Sequence, residues 1–158
     1  MGVSQELMEL IRRGFSLSLG GIHGTAHWAR VRQNGLRLAE VTGANPEVVG
    51  LFAYLHDSQR LSDGFDPGHG QRAAVLVERL QGSLFTLADG DLELLVYACY
   101  HHSQEITEAE ITVQTCWDAD RLDLGRIGIR PNPHYLCTAA AKQPKIIEWA
   151  FHRSQGRR

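Results

Sequence analysis

Chemistry and burial meet at Leu51-Phe52-Ala53-Tyr54-Leu55-His56-Asp57, an apolar run that ends in an adjacent imidazole and carboxylate. Upstream, Asn45-Pro46-Glu47 has the form of a helix start, with Asn as the cap, Pro in the first turn and an acid beside the positive end of the helix dipole. From Val48 onward the residues are apolar on every side, so the pattern predicts a central helix buried all round, with His56 and Asp57 at its interior end. An unpaired polar group there costs roughly 2–7 kcal/mol, and a charge costs more. A metal cation is the most economical partner. A His-Asp hydrogen-bonded pair capping the helix is the alternative if the dipeptide is taken alone.

Other stretches repeat the pattern. A helix over residues 23–41 puts His27, Val31, Asn34, Leu38 and Val41 on one face, with His23 at its edge. The helix over 69–80 carries His69, Ala73, Leu76 and Leu80 on one stripe. The next, ending near residue 102, aligns Leu95, Ala98, Cys99 and His102, while His101 falls about a quarter turn aside; His102 is therefore expected to point inward. A helix over 109–124 groups Val113, Cys116, Trp117, Asp120 and Leu124, so Asp120 lies in the apolar arc. Asp118 points the opposite way and Asp123 sits at the edge, and both are expected to be solvated or salt-bridged. Five helices thus each turn a ligand-type group inward: His27, His56 with Asp57, His69, His102 and Asp120. Four imidazoles and two carboxylates suit one or two divalent transition metals, Fe, Mn, Co, Ni or Zn, better than Mg or Ca.

The remaining elements frame this constellation. Residues 5–17, with Leu7, Leu10 and Ile11 at helical spacing, form an amphipathic first helix. The stretch 58–68 contains Asp63-Gly64 and Asp66-Pro67-Gly68, turn signals that place a loop beside the His-Asp pair as one wall of a pocket. After the linker Arg130-Pro131-Asn132-Pro133, two short helices at 133–142 and 144–152 are expected as packing elements. No alternation of strand type is sustained. The expected fold is all-α.

Length and composition set the outer bounds. The 158 residues suit one domain, and 43% hydrophobic with 22% charged residues is ordinary for a globular protein. A net charge of -2 gives no general attraction for nucleic-acid polymers or anionic membranes. The clustered cations Arg12-Arg13, Arg30/Arg32 and Arg157-Arg158 are read as solvated faces and a tail. Cys99, Cys116 and Cys137 form no CxxC and lie in apolar helical patterns, as reduced core cysteines of a cytoplasmic protein do. No signal-peptide core or spanning apolar stretch is present in the sequence, so a cytoplasmic location is expected.

The order His27 … His56-Asp57 … Asp120 resembles the H…HD…D signature of the HD-domain superfamily of metal-dependent phosphohydrolases, over about residues 20–125 of a single domain spanning 1–158. His69 and His102 make it similar to the two-metal branch, H…HD…H…H…D. The phrases His23-Gly24-Thr25-Ala26-His27-Trp28, His56-Asp57-Ser58-Gln59-Arg60, Asp66-Pro67-Gly68-His69-Gly70 and Cys116-Trp117-Asp118-Ala119-Asp120-Arg121-Leu122 resemble small, stand-alone bacterial HD proteins. The Gly-Tyr-Pro that marks cyclic dinucleotide hydrolases of this superfamily is absent.

This resemblance implies one metal among His27, His56, Asp57 and Asp120, and a second held by His69 and His102 and bridged by Asp57. It implies hydrolysis of a small phosphate ester, such as a nucleotide, by a metal-activated hydroxide formed from a water that Asp57 or Asp120 orients and deprotonates. Arg60 and Arg121 are placed to meet phosphate oxygens, or else to pair with Asp63, Asp118 or Asp123. His23 could reach a metal, orient water, contact phosphate or make a helix-start hydrogen bond. Two other readings stand beside hydrolysis: a di-iron oxygenase, as in myo-inositol oxygenase of similar fold, and a non-catalytic metal- or nucleotide-binding sensor.

Overall fold

Helix boundaries follow from the caps that the sequence supplies. The computed structural model describes residues 3–156 and, among them, seven α-helices: α1 (Gln5–Gly14), α2 (Thr25–Thr42), α3 (Pro46–Leu55), α4 (His69–Leu80), α5 (Asp89–His101), α6 (Ile111–Arg121) and α7 (Pro144–Ser154). Short 3-10 turns occupy Leu124–Ile127 and Pro133–Tyr135. Arg157-Arg158 lie outside the described residues. Ser4, Asn45 and Glu110 cap α1, α3 and α6 by accepting hydrogen bonds from the N–H groups of Leu7, Glu47 and Thr112, and Pro46 opens α3 as expected. Gly43 closes α2 at a φ of 78°, a left-handed conformation that favours glycine. The fold is all-α, with one isolated bridge between Gln81 and Phe85 and no named strand among the described residues.

The all-round apolar α3 is the axis of the molecule. Val48 to Ala53 and Leu55 are all buried, and the helix packs on α2, α5 and α6, with α1 at its edge. α4 lies along α5. Glycine permits two close approaches that matter for the site. A methyl group on Gly35 of α2 would stand 2.3 Å from Val49 Cγ1 of α3. On Gly70 it would stand 2.7 Å from the Tyr100 carbonyl oxygen and 2.8 Å from that of Cys99, so the first turn of α4 rests directly on the last turn of α5. That crossing brings His69, just before Gly70, beside His102, just after α5.

Several boundaries differ from the pattern in the sequence. The first helix stops at Gly14, and α2 starts at Thr25, leaving His23 in the turn before it. α6 ends at Arg121 and passes into a 3-10 turn, so the helical phase does not extend to Asp123. The helix expected over 133–142 is instead a 3-10 turn followed by irregular chain. The cause lies in Asp118, which is buried rather than solvated. Its carboxylate accepts the Cys137 N–H at 2.7 Å, the Thr138 N–H at 2.9 Å and the Thr138 hydroxyl at 2.7 Å. Backbone donors needed by a helix are thereby committed to a side chain. Burial pushes the Asp118 carboxyl up, against the pull of these donors. The clasp seats a second, smaller apolar cluster of Leu38, Leu122, Leu136, Ile146, Ile147 and Ala150 under α7.

Candidate metal centre

Five helices deliver side chains to one buried point beside the end of α3. His27 comes from the first turn of α2, His56 and Asp57 from the end of α3, His69 from the start of α4, His102 from the cap of α5 and Asp120 from the last turn of α6. They form two groups that share Asp57: His27, His56, Asp57 and Asp120, and Asp57, His69 and His102, each with ligand atoms within 4.8 Å of one another. Asp57 divides its oxygens between them. Its Oδ2 lies 3.2 Å from His27 Nε2 and 3.3 Å from His56 Nε2, while Oδ1 lies 3.3 Å from His69 Nε2 and 3.4 Å from His102 Nε2. Asp120 Oδ1 stands 3.3 Å from both His27 Nε2 and His56 Nε2.

The opposite ring nitrogens determine what these atoms can do. His56 Nδ1 lies 3.0 Å from the Phe52 carbonyl and 3.1 Å from that of Ala53, His69 Nδ1 lies 2.5 Å from the Asp66 carbonyl, and His102 Nδ1 lies 2.7 Å from the Cys99 carbonyl. A carbonyl only accepts, so each Nδ1 carries a proton and each neutral ring turns the lone pair of Nε2 into the centre. His27 Nδ1 faces the Asp123 carboxylate at 2.6 Å with the same consequence. Nε2 atoms then meet at 3.2 Å (His27 and His56) and 2.8 Å (His69 and His102). Lone pairs facing each other and facing carboxylates need positive charge between them. The donor set fits divalent transition metals at both groups.

Where protons are the only positive charge available, they take the same places. Burial pulls the His56 imidazole down, but the Asp57 and Asp120 carboxylates outweigh it and push it up to about 10. Burial likewise works against His27, which Asp120, Asp123 and Asp57 push up to about 9. Asp57 and Asp120 are held well below the usual carboxylate range, because the imidazoles, His56 foremost, overcome their burial. His102 goes the other way: burial lowers it despite Asp57, which leaves it neutral near pH 7 and ready to donate its lone pair.

The remaining residues singled out in the sequence divide. Arg60 turns inward: its Nε donates to Asp57 Oδ1 at 3.2 Å and its Nη1 to the carbonyls of Ser62 and Gly64, so it braces the shared carboxylate and the loop at once. His23 is buried in the turn before α2, with Nδ1 2.8 Å from Asp63 Oδ1 and its ring edge-on to His27. Arg121 is directed elsewhere. Its guanidinium lies over Trp117 and bonds the Tyr135 carbonyl and Cys137 Sγ, so its partners belong to the C-terminal segment and not to the cluster. Adjacency to Asp120 does not bring Arg121 to the cluster, because neighbours in a helix point about 100° apart. Arg30, read as a solvated cation, is bound to buried Asp123. Asp123 is salt-bridged, one of the two states expected of it, but its burial against His27 is what sequence reasoning missed, since it lies beyond the helix whose spacing was used to place it.

His101 and His102 part at the end of α5. His101 Nδ1 pairs with exposed Gln104 Oε1 at 2.6 Å, whereas His102 is buried against His69. Replacement by alanine should therefore separate them: His102→Ala is expected to cost the protein one bound metal, and His101→Ala none, as read by metal analysis after gel filtration. Equal losses would show that both imidazoles ligate.

Comparison with known structures places the architecture. A predicted HD superfamily hydrolase from an uncultured Thermotogales bacterium superposes with a TM-score of 0.73 over 98% of this chain and 88% of that chain, at 21% identity. The fold is that of the HD superfamily. No protein-family model matches the sequence, and no curated protein matches it. In this chain the His56-Asp57 pair occupies the interior end of α3. No helix among the described residues is long and apolar enough to cross a membrane.

Proposed function

We propose that the protein is a metal-dependent phosphohydrolase that hydrolyses a small phosphate ester. One observation carries the reading: Asp57 presents one oxygen to each of two imidazole pairs whose Nδ1 protons are already committed, which is the donor arrangement of two cations sharing a carboxylate. The Thermotogales protein of the same fold bears the name of a predicted hydrolase. His27, His56, Asp57 and Asp120 would hold one metal, and Asp57, His69 and His102 the other. Metals so held supply Lewis acidity toward a phosphoryl oxygen and lower the pKa of water toward neutrality.

The protein's own groups do the rest. Arg60 Nη2, which makes no hydrogen bond to the described residues, is free to meet a phosphate oxygen while Nε and Nη1 keep the guanidinium fixed. Asp120 is the most open ligand, with 17% of its side chain exposed against 3% for Asp57. Its Oδ2 has no protein partner among the described residues and can take the proton from the attacking water. His23, whose Nδ1 donates to Asp63 Oδ1, lies beside His27 and keeps its Nε2 lone pair to accept a hydrogen bond from the attacking water.

The test is metal analysis of protein purified without chelator, followed by a screen of phosphate monoesters, nucleotides included, with the metal so found. Release of inorganic phosphate that Asp120→Asn abolishes is the expected result. Tight metal binding with substrate-dependent oxygen uptake and no phosphate release would replace this reading with the oxygenase one.

A further inference from the structure

Three of the four inward imidazoles are oriented by local backbone, and one is not. His56, His69 and His102 each bond a carbonyl three or four positions back, so the turn that carries the residue also fixes its ring. His27 sits third in α2, after an irregular turn. Its Nδ1 instead reaches a side chain 96 positions along the chain, Asp123 Oδ2 at 2.6 Å. Asp123 is completely buried and is itself immobilised. Arg30, one turn along α2 from His27, donates to it through Nε at 2.6 Å and Nη2 at 3.2 Å. Arg126 donates to its backbone carbonyl at 2.9 Å and to the carbonyl of Ile22 at 2.8 Å, which ties the 3-10 turn to the entry of α2.

We propose that Asp123 is a positioning residue of the metal centre: it fixes the proton of His27 on Nδ1 and aims the Nε2 lone pair at the point between Asp57 and Asp120. A carboxylate acceptor also makes the imidazole a stronger electron donor than a peptide carbonyl does. Two arginines offset the cost of burying the carboxylate: Arg30 donates to Oδ1 at 2.6 Å and shares Oδ2 with the ring at 3.2 Å, and Arg126 Nη1 stands 4.0 Å from Oδ2. The inference rests on the metal-binding reading above. It assigns to Asp123 a task different from that of the ligand Asp120, three residues earlier.

The experiment is a double-mutant cycle on metal affinity, read by competition of the purified protein with a chromophoric chelator for Zn²⁺. Asp123→Asn should weaken binding about 10- to 100-fold in the parent, the range in which partners behind metal ligands act. In the His27→Ala background the same substitution should cause no further loss, because the imidazole through which Asp123 acts is gone. An equal loss in both backgrounds, or none in the parent, overturns the proposal; the first would mark Asp123 as a strut between α2 and the 3-10 turn. A parent protein that binds no Zn²⁺ overturns the metal reading itself, before any variant is made.

Should Asp123→Asn fail to fold, imidazole nitrogen and proton resonances of the Zn²⁺-loaded parent decide the matter. His27 is expected to ligate through Nε2 and to show its Nδ1 proton further downfield than those of His56, His69 and His102, which face peptide carbonyls. Ligation through Nδ1, or a proton no further downfield than the others, overturns the assignment.

Discussion

Asp57→Ala should emerge from purification with close to no bound transition metal, although it removes one side chain and leaves five of the six inward ligands in place. The expectation follows from how the carboxylate is used. Oδ2 serves the group with His27 and His56, and Oδ1 the group with His69 and His102, so neither group keeps its shared anion once the side chain is gone. The second group then consists of two neutral imidazoles alone, a weak site for a dication. Asp57→Asn should behave between the two. An amide has one oxygen and one NH₂, and the NH₂ cannot ligate, so it can serve one group at most. Metal analysis alongside circular dichroism checks both variants: a full metal complement in folded Asp57→Ala would refute the bridging role.

The response to chelation should depend on pH in a direction fixed by His27 and His56. In chelated protein their folded-state pKa values, about 9 and about 10, lie above the 6.5 of an unfolded imidazole. A group raised in this way contributes stability that is fully present below about pH 6.5 and is lost as pH rises through its folded pKa. The chelated protein should therefore weaken between roughly pH 6.5 and 10. In loaded protein the cation replaces these protons, and rising pH removes its competitor. At a thousandfold excess of metal over Kd, binding contributes about 4 kcal/mol, or on the order of 10 °C in Tm for a chain of this size. The gap in Tm between loaded and chelated protein should be small at pH 6 and widen toward pH 9. A gap that stays constant would mean that protons and metal do not compete at His27 and His56.

The parts of the molecule governed by helical period can be read from the sequence, and those governed by long-range hydrogen bonds cannot. The apolar surround of α3, its start at Asn45-Pro46 and the divergence of His101 from His102 all follow from the advance per residue along one helix. The inward aim of His27, His69 and Asp120 follows in the same way. Asp118 defeats the method because the face opposite the core is covered by Cys137 and Thr138, which are distant in sequence. Asp123 is salt-bridged as expected, but its burial against His27 is beyond the method, because α6 stops at Arg121 and past a helix end the period predicts nothing. The stretch after Pro133 has helical propensity in its alanines, yet the Cys137 and Thr138 amides are taken by Asp118, a case of tertiary bonding overriding a local preference.

The distribution of the ligands along the chain also bears on lifetime. The first and last groups of the centre, His27 on α2 and Asp120 on α6, come from opposite ends of the ligand-bearing stretch, so the complete centre needs all five helices in place. A cation bound only by the complete centre would not hasten assembly. It must, however, be surrendered before the helices can separate, and interactions absent from the transition state slow escape from the native state without speeding entry to it. A metal held in this bundle would thus act as a kinetic lock, its hold measured in how long the folded chain persists at high temperature.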